Sequence, residues 1–182
     1  MDDLVKKAMA KWPNVPDCYG WLALDSRGQW FMRDERVQSL GSFQSGVAGS
    51  KGSLLKHEKM IEFINRNYAV DEEGRCYFQN GPQKVFVELE ITPYVWRVNE
   101  PFTPVAHTGV SSKALACLMD ELGRVYLKTD LGFGLVHSLD VGLVAEALEK
   151  GNCVLEECES QALPGQNHYV MSPQSIVQEK NT

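Results

Sequence analysis

A chain of 182 residues, 43% hydrophobic and 23% charged, fits one globular domain or two small ones and holds enough apolar side chains for a sizeable core. Its formal net charge of −6 argues against a general nucleic-acid binder, whose affinity rests on basic residues meeting phosphates. The five cysteines (18, 76, 117, 153 and 158) are scattered without a Cys-x-x-Cys pair, no stretch is apolar enough for a membrane span, and Met1-Asp2-Asp3 does not open a signal peptide, so a reducing, cytoplasmic location is expected.

Asp2 or Asp3 is placed to cap a helix through Ala10, with Leu4, Val5, Ala8, Met9 and Trp12 on one face, and Pro13 and Pro16 stop it. Tyr19–Leu24 reads as a strand that turns through Asp25-Ser26-Arg27-Gly28 and returns as Gln29–Arg33. The Gly/Ser-rich run Gly41–Ser53 is a loop, or a loop flanking a weak strand, and Lys51–Lys59, the densest basic stretch, is a solvated helix face. Ser53 is expected to cap a helix over Leu54–Asn67, where Leu54, Ile61, Ile64 and Tyr68 recur at helical spacing.

A second Asp-x-x-Gly, Asp71-Glu72-Glu73-Gly74, follows directly. Arg75–Gln79, the turn Asn80-Gly81-Pro82, and Lys84–Ile91 form a hairpin, with Val85, Val87, Leu89 and Ile91 facing one way and Lys84, Phe86, Glu88 and Glu90 the other. Tyr94–Val98 is expected to complete a three-stranded antiparallel meander. The prolines of Asn99–Pro104 mark a boundary between an N-terminal half, 1–98, and a C-terminal half, 105–172.

Ser112–Leu118 is open between helix and strand; the third copy, Asp120-Glu121-Leu122-Gly123, then leads through Gly132-Phe133-Gly134 to a strand at Leu135–Leu139. Asp140 caps a helix that Gly151 ends, and Cys153–Glu157 and His168–Ser172 are expected to pair around Pro164-Gly165. Residues 173–182 read as a frayed tail. The whole is α+β: antiparallel β-meanders and hairpins with packed helices, as two similar subdomains or as one common hairpin used three times.

Two stretches carry a resemblance. Cys18-Tyr19-Gly20-Trp21-Leu22-Ala23-Leu24-Asp25 with Gly28 and Trp30, and Phe63-Ile64-Asn65-Arg66-Asn67-Tyr68 with Asp71, Gly74 and Phe78-Gln79-Asn80-Gly81-Pro82-Gln83, resemble an uncharacterised, mainly proteobacterial family of unknown function. The resemblance implies a bacterial cytoplasmic protein and transfers no activity or functional residue.

The turns themselves are poor metal sites: Asp71, Glu72 and Glu73 supply three carboxylates, but the other copies do not keep them. His57, His107, His137 and His168 have no ligand spacing, Cys76 and Cys117 read as small core residues, and the acidic stretch between Cys153 and Cys158 disfavours a reactive thiol. No cofactor or metal is expected. The residues nominated for ligand binding are the amides and charges at one hairpin end, Asn65, Arg66, Gln79 and Gln83, together with Trp96 and Arg97, lining a groove. The competing reading is that Asn67 ends a helix and Asn80-Gly81 makes a turn. A binding or regulatory module for a protein partner or for self-association leads, with no nucleic acid and no membrane. The alternative is an enzyme site assembled between the halves from Arg97, His107 or His137, and Glu88 or Glu90.

Overall fold

All three Asp-x-x-Gly segments close a hairpin turn in the same way. In the computed structural model, which describes residues 1–180, the amides of Asp25, Asp71 and Asp120 donate to the carbonyls of Gln29, Arg75 and Arg124 at 3.0, 3.0 and 3.1 Å. One carboxylate oxygen of each Asp accepts the returning amide of that same residue at 2.8–2.9 Å. Gly28, Gly74 and Gly123 hold φ at 78°, 78° and 74°, a region that a Cβ disfavours, so Asp and Gly are both set by the turn.

The elements begin with α1 (Asp3–Lys11), β1 (Cys18–Leu24), β2 (Trp30–Met32), α2 (Glu35–Ser39), β3 (Ser53–Leu54), α3 (Glu58–Arg66), β4 (Tyr68–Val70), β5 (Cys76–Asn80) and β6 (Gln83–Leu89). They continue as β7 (Tyr94–Asn99), β8 (Thr103–Ala106), β9 (Ala114–Asp120), β10 (Val125–Thr129), β11 (Phe133–Val136), α4 (Val141–Glu149), β12 (Leu155–Cys158), α5 (Leu163–Gln166) and α6 (Pro173–Lys180). The chain forms two compact units: Met1–Asp25, Gln29–Glu90 and residues 169–180 make the first, and Ser26–Gly28 with Ile91–His168 the second.

Each unit is built on a six-stranded mixed sheet with helices, so the fold is α+β. The strand orders are β3-β2-β1-β6-β5-β4 and β12-β9-β10-β11-β7-β8. Read from opposite ends, β2-β1-β6-β5-β4 and β8-β7-β11-β10-β9 have the same connections. A hairpin comes first, then a three-stranded meander whose last strand joins the hairpin's first strand in parallel. Trp30, Phe43, Ile64, Phe86 and Leu89 are buried in the first unit; Trp96, Tyr126, Leu127 and Val144 are buried in the second.

Several sequence expectations change. The meander of the first unit is β4-β5-β6, and the expected third strand, Tyr94–Val98, is part of β7 in the other sheet. β6 instead pairs in parallel with β1. Its period-two pattern suggested one wet face, but Phe86 and Glu88 are as fully buried as Val87 and Leu89 because this central strand is covered on both sides. α3 starts at Glu58, where the His57 imidazole accepts the Met60 amide, because Ser53 and Leu54 pair with β2. The segment 112–118 resolves as strand from Ala114 on, β12 runs parallel to β9 instead of pairing with 168–172, and Pro164-Gly165 lies inside a short helix. Asn99–Pro104 falls in the β7–β8 hairpin. Residues 173–180 of the expected tail are α6; 181 and 182 lie outside the described residues.

A buried polar cluster organises the first unit. Arg33, fully buried, donates to the carbonyls of Ser50 at 2.9 Å, Gly41 at 2.6 Å and Gly20 at 3.4 Å, so one guanidinium fastens both ends of the Gly/Ser loop. Gln44, from that loop, donates to the Leu89 and Met171 carbonyls at 2.6 and 3.1 Å. Glu88, also fully buried, accepts the Gln174 amide of α6 at 3.0 Å. Burial pushes the Glu88 carboxyl above its ordinary value, against the pull of Ser172, Gln174 and Arg33. The returning segment is tied further by Leu89 N–H to the Met171 carbonyl at 2.8 Å and by Val170 N–H to the Gly74 carbonyl at 2.9 Å.

Candidate functional site

The second unit contains a cleft of about 590 Å³ at one side of its sheet. The parallel register of β12 on β9 creates it, placing Glu157 opposite Met119 and Cys158 opposite Asp120. The β9–β10 turn supplies Asp120 and Glu121, β12 supplies Glu157, and the segment after it brings Glu159 and Gln166. Four carboxylates line the cleft and no lysine or arginine is among the lining residues.

Two of these carboxylates are held in place. Asp120 accepts from the Leu122 and Arg124 amides at 3.0 and 2.9 Å, from the Arg124 guanidinium at 2.7 Å and from the buried Tyr126 hydroxyl at 2.7 Å. Burial opposes its ionisation, but those donors outweigh burial and hold it below the usual carboxylate value. Glu121 accepts the Ser160 hydroxyl, and the Ser160 amide at 2.9 Å, and these donors likewise hold its carboxyl below its ordinary value. Both are therefore anionic at neutral pH. Cys158 lines the same cleft, and burial followed by the Asp120 and Glu121 charges pushes its thiol up; the direction is the one expected, but its causes lie outside the acidic stretch between Cys153 and Cys158. Among the described residues no group of three or more His, Cys, Asp or Glu is placed to hold a metal ion.

The residues nominated from sequence fall in two places. In the first unit, Asn65 Oδ1 accepts the Trp30 indole N–H at 2.9 Å, Arg66 is exposed beside Asp2 at 3.4 Å, and Gln83 donates to the Pro16 carbonyl at 2.9 Å. Gln79 is buried and donates to the Gly81 carbonyl at 3.0 Å. Trp96 and Arg97 are on β7 of the second unit. Trp96 is fully buried and its indole donates to the Leu127 carbonyl at 3.2 Å. Arg97 makes a two-pronged ion pair with Asp140, at 2.5 and 3.0 Å, and Asp140 also accepts the Val98 amide at 3.0 Å, so Asp140 clamps β7 instead of capping α4 with its side chain.

The residues gathered for an enzyme site divide likewise: Arg97, His107 and His137 lie in the second unit, Glu88 and Glu90 in the first. Burial pushes His107 down to about 3, which keeps its imidazole neutral. Glu90 pairs with Lys51 at 2.6 Å.

Asn67, the helix-ending residue, is buried; its side chain accepts the Asp2 amide at 2.8 Å and donates to the Phe63 carbonyl at 3.0 Å. Asn67→Ala is expected to lower stability by about 1–3 kcal/mol, the cost of unmaking buried hydrogen bonds, whereas Gln83→Ala, at an exposed contact, should stay within about 0.5 kcal/mol in urea denaturation. The cleft acids escaped the sequence reading because Glu157 and Glu159 registered only as neighbours of two cysteines. The run Glu156-Glu157-Cys158-Glu159 was the visible signal, and only the β12–β9 register joins it to Asp120 and Glu121.

The model of a family described as "Protein of unknown function (DUF2946)" matches residues 1–182. No curated protein matches. Two solved structures are similar. A DUF1285 family protein from Silicibacter pomeroyi DSS-3 is 17% identical with a TM-score of 0.49, covering 80% of this chain and 84% of that one. A DUF1285 family protein from Shewanella baltica OS155 is 13% identical with a TM-score of 0.45, covering 69% of this chain and 91% of that one. No described helix is long and apolar enough to cross a membrane. With its full length matched, the chain belongs to the family of unknown function described as DUF2946.

Proposed function

We propose that this chain is a binding module that takes a basic, extended segment of a partner protein in the acidic cleft of its second unit. The observation that carries the reading is the charge of the cleft: Asp120, Glu121, Glu157 and Glu159 line it without a basic residue among them. β12 adds to the support, because it ends its sheet and offers a backbone edge along the same wall. Complementary charge steers such a segment in and sets its preference, while strand addition aligns it.

The test is calorimetric titration with a lysine-rich peptide against the full-length chain, at low and raised salt. Binding should weaken with salt, and Glu157→Gln with Glu159→Gln should weaken it about tenfold, roughly 1.4 kcal/mol for two exposed charges. An acidic peptide of the same length should not bind. Equal affinity of the double variant and the unaltered protein, or no binding at all, overturns the reading.

A further inference from the structure

Three of the five cysteines lie on β9, on β12 or at the entry to β12. Leu155 pairs with Cys117 in parallel register, and Cys153 lies two residues upstream of Leu155. Cys153 sits in the bend that leads into β12, beside the start of that pairing. The Cys117 and Cys153 thiols lie close enough there to act on one another. Cys117 is fully buried, while Cys153 is only half-buried and open to a reagent. Cys158 lies opposite Asp120 at the far end of β12, an odd number of residues from Leu155, and so on the other face.

We propose that Cys117 and Cys153 are a redox pair, which a low-molecular-weight disulfide such as oxidised glutathione converts into a bond pinning the head of β12 to β9. The Cys153 thiolate attacks the glutathione disulfide, breaking its S–S bond and releasing one glutathione thiolate. Cys117 then attacks the Cys153 sulfur, forming the protein disulfide and releasing the second glutathione. Two protein thiols lose two protons and two electrons, and the glutathione disulfide is reduced to two thiols. Burial pushes Cys117 up to about 12 and raises Cys153 as well, so thiolate is scarce at neutral pH and the exchange quickens as pH rises. The bond would fasten the strand that walls the acidic cleft, and it stands independently of what the cleft binds.

The test treats the full-length chain with oxidised glutathione at mildly alkaline pH and reads intact mass, thiol count and a non-reducing peptide map. The unaltered protein and Cys158→Ser should each lose two hydrogens in mass and two titratable thiols, and yield a linked peptide pair containing residues 117 and 153. Cys153→Ser, at a half-buried position that tolerates the change, should yield no such pair. The oxidised unaltered protein should also melt higher than its reduced form. Accumulation of a glutathione adduct on Cys153 with Cys117 still free, or a link from Cys153 to Cys158, overturns the proposal.

Discussion

Replacing Arg33 with methionine will destabilise the first unit by about 3–5 kcal/mol, the range for breaking a buried charge arrangement by removing one member. Three carbonyls, on Gly20, Gly41 and Ser50, lose their donor together. Two of those carbonyls belong to a loop that has neither helix nor sheet to satisfy its backbone, so the guanidinium stands in for secondary structure there. Glu88, buried and already pushed toward its neutral form, loses the nearby positive charge. The Arg33 guanidinium also lies 5.9 Å from the buried Phe43 ring, a contact that methionine keeps only as packing. Arg33→Lys restores charge without the planar fork and should fall between the two. Urea denaturation of the three proteins decides the matter: a methionine variant within about 1 kcal/mol of the original would mean that the loop holds itself.

Asp120→Ala should cost about 2–4 kcal/mol, since one carboxylate satisfies two turn amides, a guanidinium and a buried hydroxyl. Asp120→Asn keeps a neutral acceptor for the turn amides and should recover part of the loss. The sign of the pH dependence follows from the carboxyl being held below its ordinary 3.8. A depressed folded-state value contributes stability that is fully present above pH 3.8 and is lost as pH falls through the folded-state value. The gap between the original protein and the asparagine variant should therefore be widest near neutrality and close in acid. A gap that grew in acid would show that the charge is not the stabilising element.

Those two residues differ in how far the chain discloses them. Asp120 was visible because a hairpin turn needs Asp and Gly at fixed local spacing, and the same logic located Asp25 and Asp71. Arg33 was not, because a lone charge after Trp30-Phe31-Met32 reads as a surface residue, and its burial depends on carbonyls up to Ser50. The α+β class and most strands followed from period and turn chemistry. The pairing of β6 with β1 did not, since alternation identifies a strand without saying what covers each face. Asn65, chosen for a ligand groove, is polar for a nearer reason: it accepts the Trp30 indole N–H, and buried donors require acceptors. The cleft acids were hidden by the same long-range register that hid the thiol pair.

The return of residues 169–180 to the first unit carries a consequence for biosynthesis. A ribosome delivers the chain from its N-terminus, so Leu89 and Glu88 leave the exit tunnel long before Met171 and Gln174, which bond them. Apart from the short Ser26–Gly28 segment, the second unit is one uninterrupted stretch, and its last residue, His168, emerges before those partners do. Vectorial synthesis thus completes the later half of the chain before the earlier half can close. Until it closes, the Leu89 amide has only water or a chaperone to meet it, and the Glu88 carboxyl lacks its Ser172 and Gln174 donors.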